Sequence, residues 1–155
     1  IGMTRSEINE YMLPFLAKVI EPMINTFALK IIHDHGDCGD TILLASATNE
    51  LIVSPIAQRL DIQNVIGTQV KFKDGKCTGE YLSPMAFGTG KLQLVEQWMY
   101  KNNFDDFSGV TFYSDSINDL PLLEAVDFPK AVNPDAMLEK ISLERGWEII
   151  DLPIL

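Results

Sequence analysis

Val110-Thr111-Phe112-Tyr113-Ser114-Asp115-Ser116-Ile117-Asn118-Asp119-Leu120-Pro121-Leu122-Leu123 is a strand pattern that stops on a cluster of oxygen donors and resumes as an apolar run. The β-branched and aromatic residues from Val110 to Tyr113 predict a short buried strand ending at Ser114. Asp115 then lies at its carboxyl end, with Asn118 and Asp119 one turn later. Where parallel strands alternate with helices, ligands collect outside the carboxyl ends of the strands. Magnesium binds oxygen, takes one or two carboxylates and keeps several waters, so this donor set suits it. In isolation, a polar loop in which an aspartate caps the next helix reads the same way.

Working outward, Thr41-Ile42-Leu43-Leu44-Ala45 is a second apolar run bounded by turn residues, as expected of a buried parallel strand. It ends at Ser46, and Ala47 and Thr48 are expected to open a helix reaching about Leu60. A hydroxyl and free N–H groups at a helix start can cradle phosphate, although Ser and Thr also cap helices for structural reasons. Ser54-Pro55 predicts a kink or restart in that helix, with Ser54 as cap. Phe87-Gly88-Thr89-Gly90-Lys91 leads into a helix of about Lys91 to Lys101. Lys91 can neutralise a phosphoryl oxygen from a flexible stem. The segment lacks the spacing of a P-loop and the hydroxyl residue after its lysine.

Downstream, Ala131-Val132 predicts a strand, with Asn133 as cap and Pro134 in the first turn of a helix to Arg145. Glu148 to Leu152 predicts a closing strand. Alternation around Asp74-Gly75, from Val70 to Thr78, predicts a hairpin. Near the start, Ile8, Met12, Phe15, Leu16 and Val19 recur at helical spacing, and a second helix is expected over Thr26 to His35. Strands alternating with helices, plus one hairpin, give an α/β class with a mainly parallel sheet.

Composition narrows the function. At 155 residues the chain is large enough for one domain with a real core. A formal net charge of −10, without clustered Lys and Arg, argues against a nucleic-acid partner. No apolar run is long enough to cross a bilayer, and no signal peptide opens the chain, so a cytoplasmic location is expected. Cys38 and Cys77 lack metal-ligand spacing and read as two reduced thiols. His33 and His35 read as helix-terminal residues, and Trp98 and Trp147 as packing residues.

The order of the groups resembles a known family. A hydroxyl at one strand end, then a lysine, then an aspartate pair at the next strand end resembles motifs II, III and IV of haloacid-dehalogenase (HAD) phosphatases. Leu44-Ala45-Ser46-Ala47-Thr48, Phe87-Gly88-Thr89-Gly90-Lys91 and the Tyr113–Leu123 run look like the phosphoserine-phosphatase-like branch. Ala131-Val132-Asn133-Pro134-Asp135 and Arg145-Gly146-Trp147 also fit it. The resemblance implies a Rossmannoid parallel sheet flanked by helices, with a β-hairpin and the remnant of a helical cap. It implies that Ser46 and the Ala47 N–H bind phosphoryl oxygens and that Lys91 neutralises charge on nucleophile and phosphate. Asp115 would ligate Mg2+, with Asn118 and Asp119 supporting metal or phosphate, Asp119 from behind the direct ligands. Lys91, Asp115 and Asp119 would then be the catalytic groups, and a small phosphorylated metabolite, phosphoserine first, the substrate.

One family motif is absent: no Asp-x-Asp-x-Thr run follows an apolar strand, and Asp34, Asp37 and Asp40 lie in a loop before one. In relatives that motif supplies the attacking aspartate and its strand is central in the sheet. Losing the strand would leave two buried strand edges unpaired, which is costly. The expectation is therefore a longer parent, with residues 1–21 as the end of a helical cap and 22–155 as a core lacking its first strand. The missing N-terminal segment would be a partner of this chain, which alone would be inactive. A catalytically inactive binding or regulatory module is the alternative. A transferase or dehalogenase on the same fold is a third reading, with the Asp115/Asp119 pair favouring the metal-using phosphatase.

Overall fold

The computed structural model describes residues 1–153. These fall into two compact units, residues 1–86 and 87–153.

In the first unit, α1 (Arg5–Phe15) is opened by a capping box: Thr4 accepts from the Glu7 N–H, and Glu7 returns the bond to Thr4 N–H. A π turn (Leu16–Ile20) and a short 3-10 turn (Glu21–Met23) continue it. Helix α2 (Thr26–Asp37) is capped by Asn25. Strand β1 (Leu43–Asn49), helix α3 (Glu50–Arg59) and strand β2 (Asn64–Thr68) form a parallel βαβ unit, with Leu43, Leu44 and Ala45 opposite Asn64, Val65 and Ile66. Leu51, Val53 and Ala57 of α3 and Ile66 of β2 are among its buried core residues. The hairpin of β3 (Val70–Lys73) and β4 (Lys76–Tyr81) turns as expected at Asp74-Gly75, both with positive φ.

The segment after Ala45 departs from the expectation. Ser46, Ala47 and Thr48 do not start a helix; they belong to β1, which uses four steps from Ala45 to Asn49 where β2 uses two. The extra residues bulge out, leaving Ala47 and Thr48 exposed. The Thr68 hydroxyl donates to the Ala47 carbonyl at 2.8 Å and pins the bulge to β2. Helix α3 starts later, capped by Asn49 Oδ1 on the Leu51 N–H. It also runs unbroken through Ser54-Pro55, so the expected kink or restart is absent as a helix boundary. Asn49 already supplies the cap, and Pro55 removes only one intrahelical bond.

Gly67 marks a close approach of α3 to β2. A Cβ there would lie 2.7 Å from Val53 Cγ1 and 2.9 Å from the Glu50 Cα, and the latter is backbone that cannot swing aside. Gly67→Ala is expected to destabilise the protein by about 1–3 kcal/mol through overpacking. Denaturant unfolding that shows no loss would mean that α3 and β2 can separate freely.

In the second unit, α4 (Thr89–Lys101) precedes β5 (Thr111–Ser114), a 3-10 turn (Ile117–Asp119) and the short α5 (Leu120–Leu123). Strand β6 (Phe128–Val132), helix α6 (Ala136–Arg145) and β7 (Glu148–Ile150) follow. The three strands form a parallel sheet in the order β5-β6-β7. Leu123, Ala131 and Leu138 are wholly buried, with Phe112, Ile117, Trp147 and Ile149 packed around them, so Trp147 is a packing residue as expected.

Asn133 is not the helix cap; Asp135 is, accepting from Met137 and Leu138 N–H groups. Asn133 has φ +44 and exchanges two side-chain bonds with the Leu152 backbone, tying the end of β6 to the chain leaving β7. The class is thus α/β, with parallel sheets flanked by helices. Among the described residues, the edge of β1 away from β2 and the edge of β5 away from β6 carry no strand. No helix among them is long and apolar enough to cross a membrane. Cys38 and Cys77 are free thiols.

Candidate active site

Four of the six residues singled out from the sequence, Lys91, Asp115, Asn118 and Asp119, lie in the second unit; Ser46 and Ala47 lie in the first. Lys91 is the third residue of α4, whose N-cap is Gly88. Gly88 has φ +53 and ψ −129, a conformation open in practice to glycine alone, and its carbonyl accepts from the Lys91 N–H. The helix carries Lys91 inward, and the residue is 5% exposed. A lysine buried this deeply needs a counter-charge.

Asp119 supplies it. Lys91 Nζ lies 2.5 Å from Asp119 Oδ1. The other carboxylate oxygen, Oδ2, accepts from the Ser114 hydroxyl at 2.7 Å, within the interior. Asp119 therefore has both oxygens engaged by the chain itself. Ser114 Oγ in turn accepts from the Ser116 N–H, so the last residue of β5 fixes the start of the loop as well as the carboxylate.

Asp115 is the contrast. It follows β5 directly, is exposed, and its side chain has no hydrogen-bond partner among the described residues. Asn118 is exposed as well, with its N–H and Nδ2 both donating to Ser116 Oγ, which leaves its amide oxygen available. Two aspartates four residues apart thus differ in character: one is buried and spent on an ion pair, the other open to a ligand. No group of three or more His, Cys, Asp or Glu suited to a metal is found among the described residues. A cation here would draw one carboxylate and an amide oxygen from this loop and its remaining ligands elsewhere.

In the first unit Ser46 Oγ accepts from the Thr48 N–H at 3.1 Å, while the Ala47 carbonyl is held by Thr68. His35 pairs its ring with Asp40 at 2.7 Å.

The structure adds residues to which the sequence reading gave no role. Ser114 holds Asp119, yet a serine closing a strand carries no signal of that. Thr68 holds the β1 bulge from a strand the sequence did not mark. Asp135 was visible only as part of a motif, but it binds the Asp115 loop: its N–H donates to the Asp115 carbonyl at 2.8 Å, and its Oδ2 accepts from the Ile117 N–H at 2.7 Å. The Ile117 N–H, and after it that of Leu138, holds the Asp135 carboxyl below the usual carboxylate range.

Comparison with known proteins gives the family. A family model described as haloacid dehalogenase-like hydrolase matches residues 2–124. The chain is 38% identical over 151 residues to a histidinol-phosphatase from Neisseria meningitidis, covering 96% of this chain and 68% of that protein. It spans about half the length of other curated relatives that it matches. A solved structure of a protein of unknown function from Bordetella pertussis Tohama I superposes with a TM-score of 0.89 at 35% identity, over 97% of this chain and 69% of that one. The apo form of a phosphoserine phosphatase superposes at 0.65 and 16% identity, covering 82% of this chain and 60% of that chain, and shows a shared fold. With the family model covering most of its length and a relative of this identity, the chain belongs to the haloacid dehalogenase-like hydrolases, as a member of phosphatase type.

Proposed function

We propose that these residues are the larger part of a magnesium-dependent phosphomonoesterase that works through an aspartyl-phosphate, its attacking aspartate lying outside the 155 residues. The observation that carries this is the buried Lys91–Asp119 pair, backed by Ser114, together with an exposed Asp115 at the end of β5 whose carboxylate has no partner among the described residues. A lysine ammonium has three donors. Asp119 orients it, and the remaining N–H groups meet the charge that develops on the nucleophile and the transferring group. Because the pair is fixed before substrate arrives, little reorganisation is needed at the moment of reaction.

The loop fits magnesium in donor chemistry: oxygen only, one open carboxylate in Asp115, and an amide oxygen in Asn118. Bound there, the ion would supply Lewis-acid polarisation of a phosphoryl oxygen. Asp119, with both oxygens engaged, supports the site from behind and does not ligate. Ser46 and the Ala47 N–H take phosphoryl oxygens in this reading, on the strength of the motif resemblance. A further parallel strand added at the open edge of β5 would bring its carboxyl end beside Asp115, which is where the attacking aspartate belongs in this reading. Residues 1–21 are read as the end of a helical cap, residues 22–155 as core, and the location as cytoplasmic.

The substrate class is read from the histidinol-phosphatase relative and from the motif resemblance to the phosphoserine-phosphatase-like branch. Histidinol phosphate and phosphoserine are both primary alkyl phosphates with an amine on the adjacent carbon. A small amino-alcohol phosphate is therefore the substrate proposed. The full-length protein, assayed with both compounds, is expected to release phosphate with magnesium, lose activity in EDTA and recover it on adding the ion back. The 155-residue chain alone is expected to release none. Chelator-insensitive turnover, or no release from either compound, would reject the proposal.

A further inference from the structure

Asp135 makes more bonds than a helix cap requires. Its Oδ1 accepts from the Met137 and Leu138 N–H groups, which is the ordinary capping role at the start of α6. Its Oδ2 faces the other way and accepts from the Ile117 N–H at 2.7 Å. Its own N–H donates to the Asp115 carbonyl at 2.8 Å. One residue therefore grips the loop on both sides of Ser116, at the residue proposed to bind the ion and at the residue before Asn118. The helix it caps is itself anchored, since Leu138 is fully buried against Leu123 and Ala131.

We propose that Asp135 is a positioning residue for the ion-binding loop, transmitting the fixed position of α6 to the Asp115 carboxylate and the Asn118 amide. This rests on the reading of Asp115 as the metal ligand. The physical reason is geometric. The exposed side chains of Asp115 and Asn118 have many conformers, and an ion gains affinity when the carboxylate that holds it is preorganised. Partners behind a metal ligand commonly change metal affinity by about 10- to 100-fold.

Asp135→Asn separates the two roles. Its single carbonyl oxygen can still cap α6, but its Nδ2 would then face the Ile117 N–H, donor against donor. The full-length protein carrying this change should need about 10-fold more magnesium for half-saturation by titration calorimetry without substrate. Its amides in the first turn of α6 should stay protected from hydrogen exchange, while the Ile117 amide exchanges faster. Asp135→Ala, which loses both roles, should expose both sets of amides. Faster exchange at Ile117 with unchanged magnesium affinity would overturn the positioning role, as would an Ile117 amide that stays protected in Asp135→Asn. Absence of magnesium binding by the unmodified protein is a different result. It would overturn the metal reading of Asp115, and this positioning role with it.

Discussion

Lys91→Ala is expected to raise the barrier to phosphate release by about 2–4 kcal/mol, the usual effect of deleting a preorganised electrostatic donor. It should also lower stability by about 3–5 kcal/mol, because the change strands Asp119 in the interior. The side chains of Lys91 and Asp119 are 6% and 12% exposed, so water cannot replace the lost partner well. Among the described residues, only the Ser114 hydroxyl would remain on that carboxylate. The two effects can be pulled apart with Lys91→Met combined with Asp119→Asn. This pair removes both charges, keeps an oxygen for Ser114 to donate to, and fills the space of the lysine stem. Much of the stability should return, since a buried ion pair contributes little net against neutral groups of similar shape. Activity should not return. Denaturant unfolding and steady-state turnover of the three proteins decide the matter. Turnover of Lys91→Ala within a few-fold of normal would remove Lys91 from the reacting centre. Full stability in the single variant would mean that the interior admits water at Asp119.

How far this pair was legible follows from what a sequence encodes. The strand, the loop and the lysine were readable because each is local: an apolar run, a cluster of oxygen donors, a glycine-flanked turn. That Asp119 is spent on Lys91 while Asp115 stays open was not readable from spacing, since both are aspartates in one short loop. The resemblance gives Asp115 as the ligand and Asp119 as its support; that Asp119 spends its oxygens on Lys91 and Ser114 comes from the structure alone. The β1 bulge was misread for a related reason. Ser46-Ala47-Thr48 carries hydroxyls that cap helices well, but Asn49 competes for the role and wins, and Thr68 holds the intervening carbonyl from another strand. Strand β2 escaped notice because Asn64-Val65-Ile66-Gly67-Thr68 is short and broken by glycine. Its strand character comes from pairing with β1, and its glycine from the approach of α3. Pro134 makes Asn133 read as a helix cap, yet its side chain serves the exit of β7, a partner 19 residues away.

Asp115→Asn should separate chemistry from folding more cleanly than any change at Lys91. The substitution keeps the shape of the side chain and removes its charge. The carboxylate has no partner among the described residues to lose, and the Asp115 contact that holds the loop is its backbone carbonyl, bound by the Asp135 N–H. Stability should therefore stay within about 0.5 kcal/mol of the parent, as for exposed positions generally. Phosphate release by the full-length protein should fall by about 100-fold or more, since a carboxylate holding a Lewis-acidic ion supports several kcal/mol of charge stabilisation. Raising magnesium should recover part of the loss if the amide oxygen still binds weakly. Near-normal turnover at low magnesium would remove Asp115 from the metal role whatever happens at Lys91. A large loss of stability would mean instead that the carboxylate supports the fold. The contrast between the two aspartates, one folded into the interior and one held out from it, predicts different signatures. Asp119 variants should lose stability and rate together, and Asp115 variants rate alone.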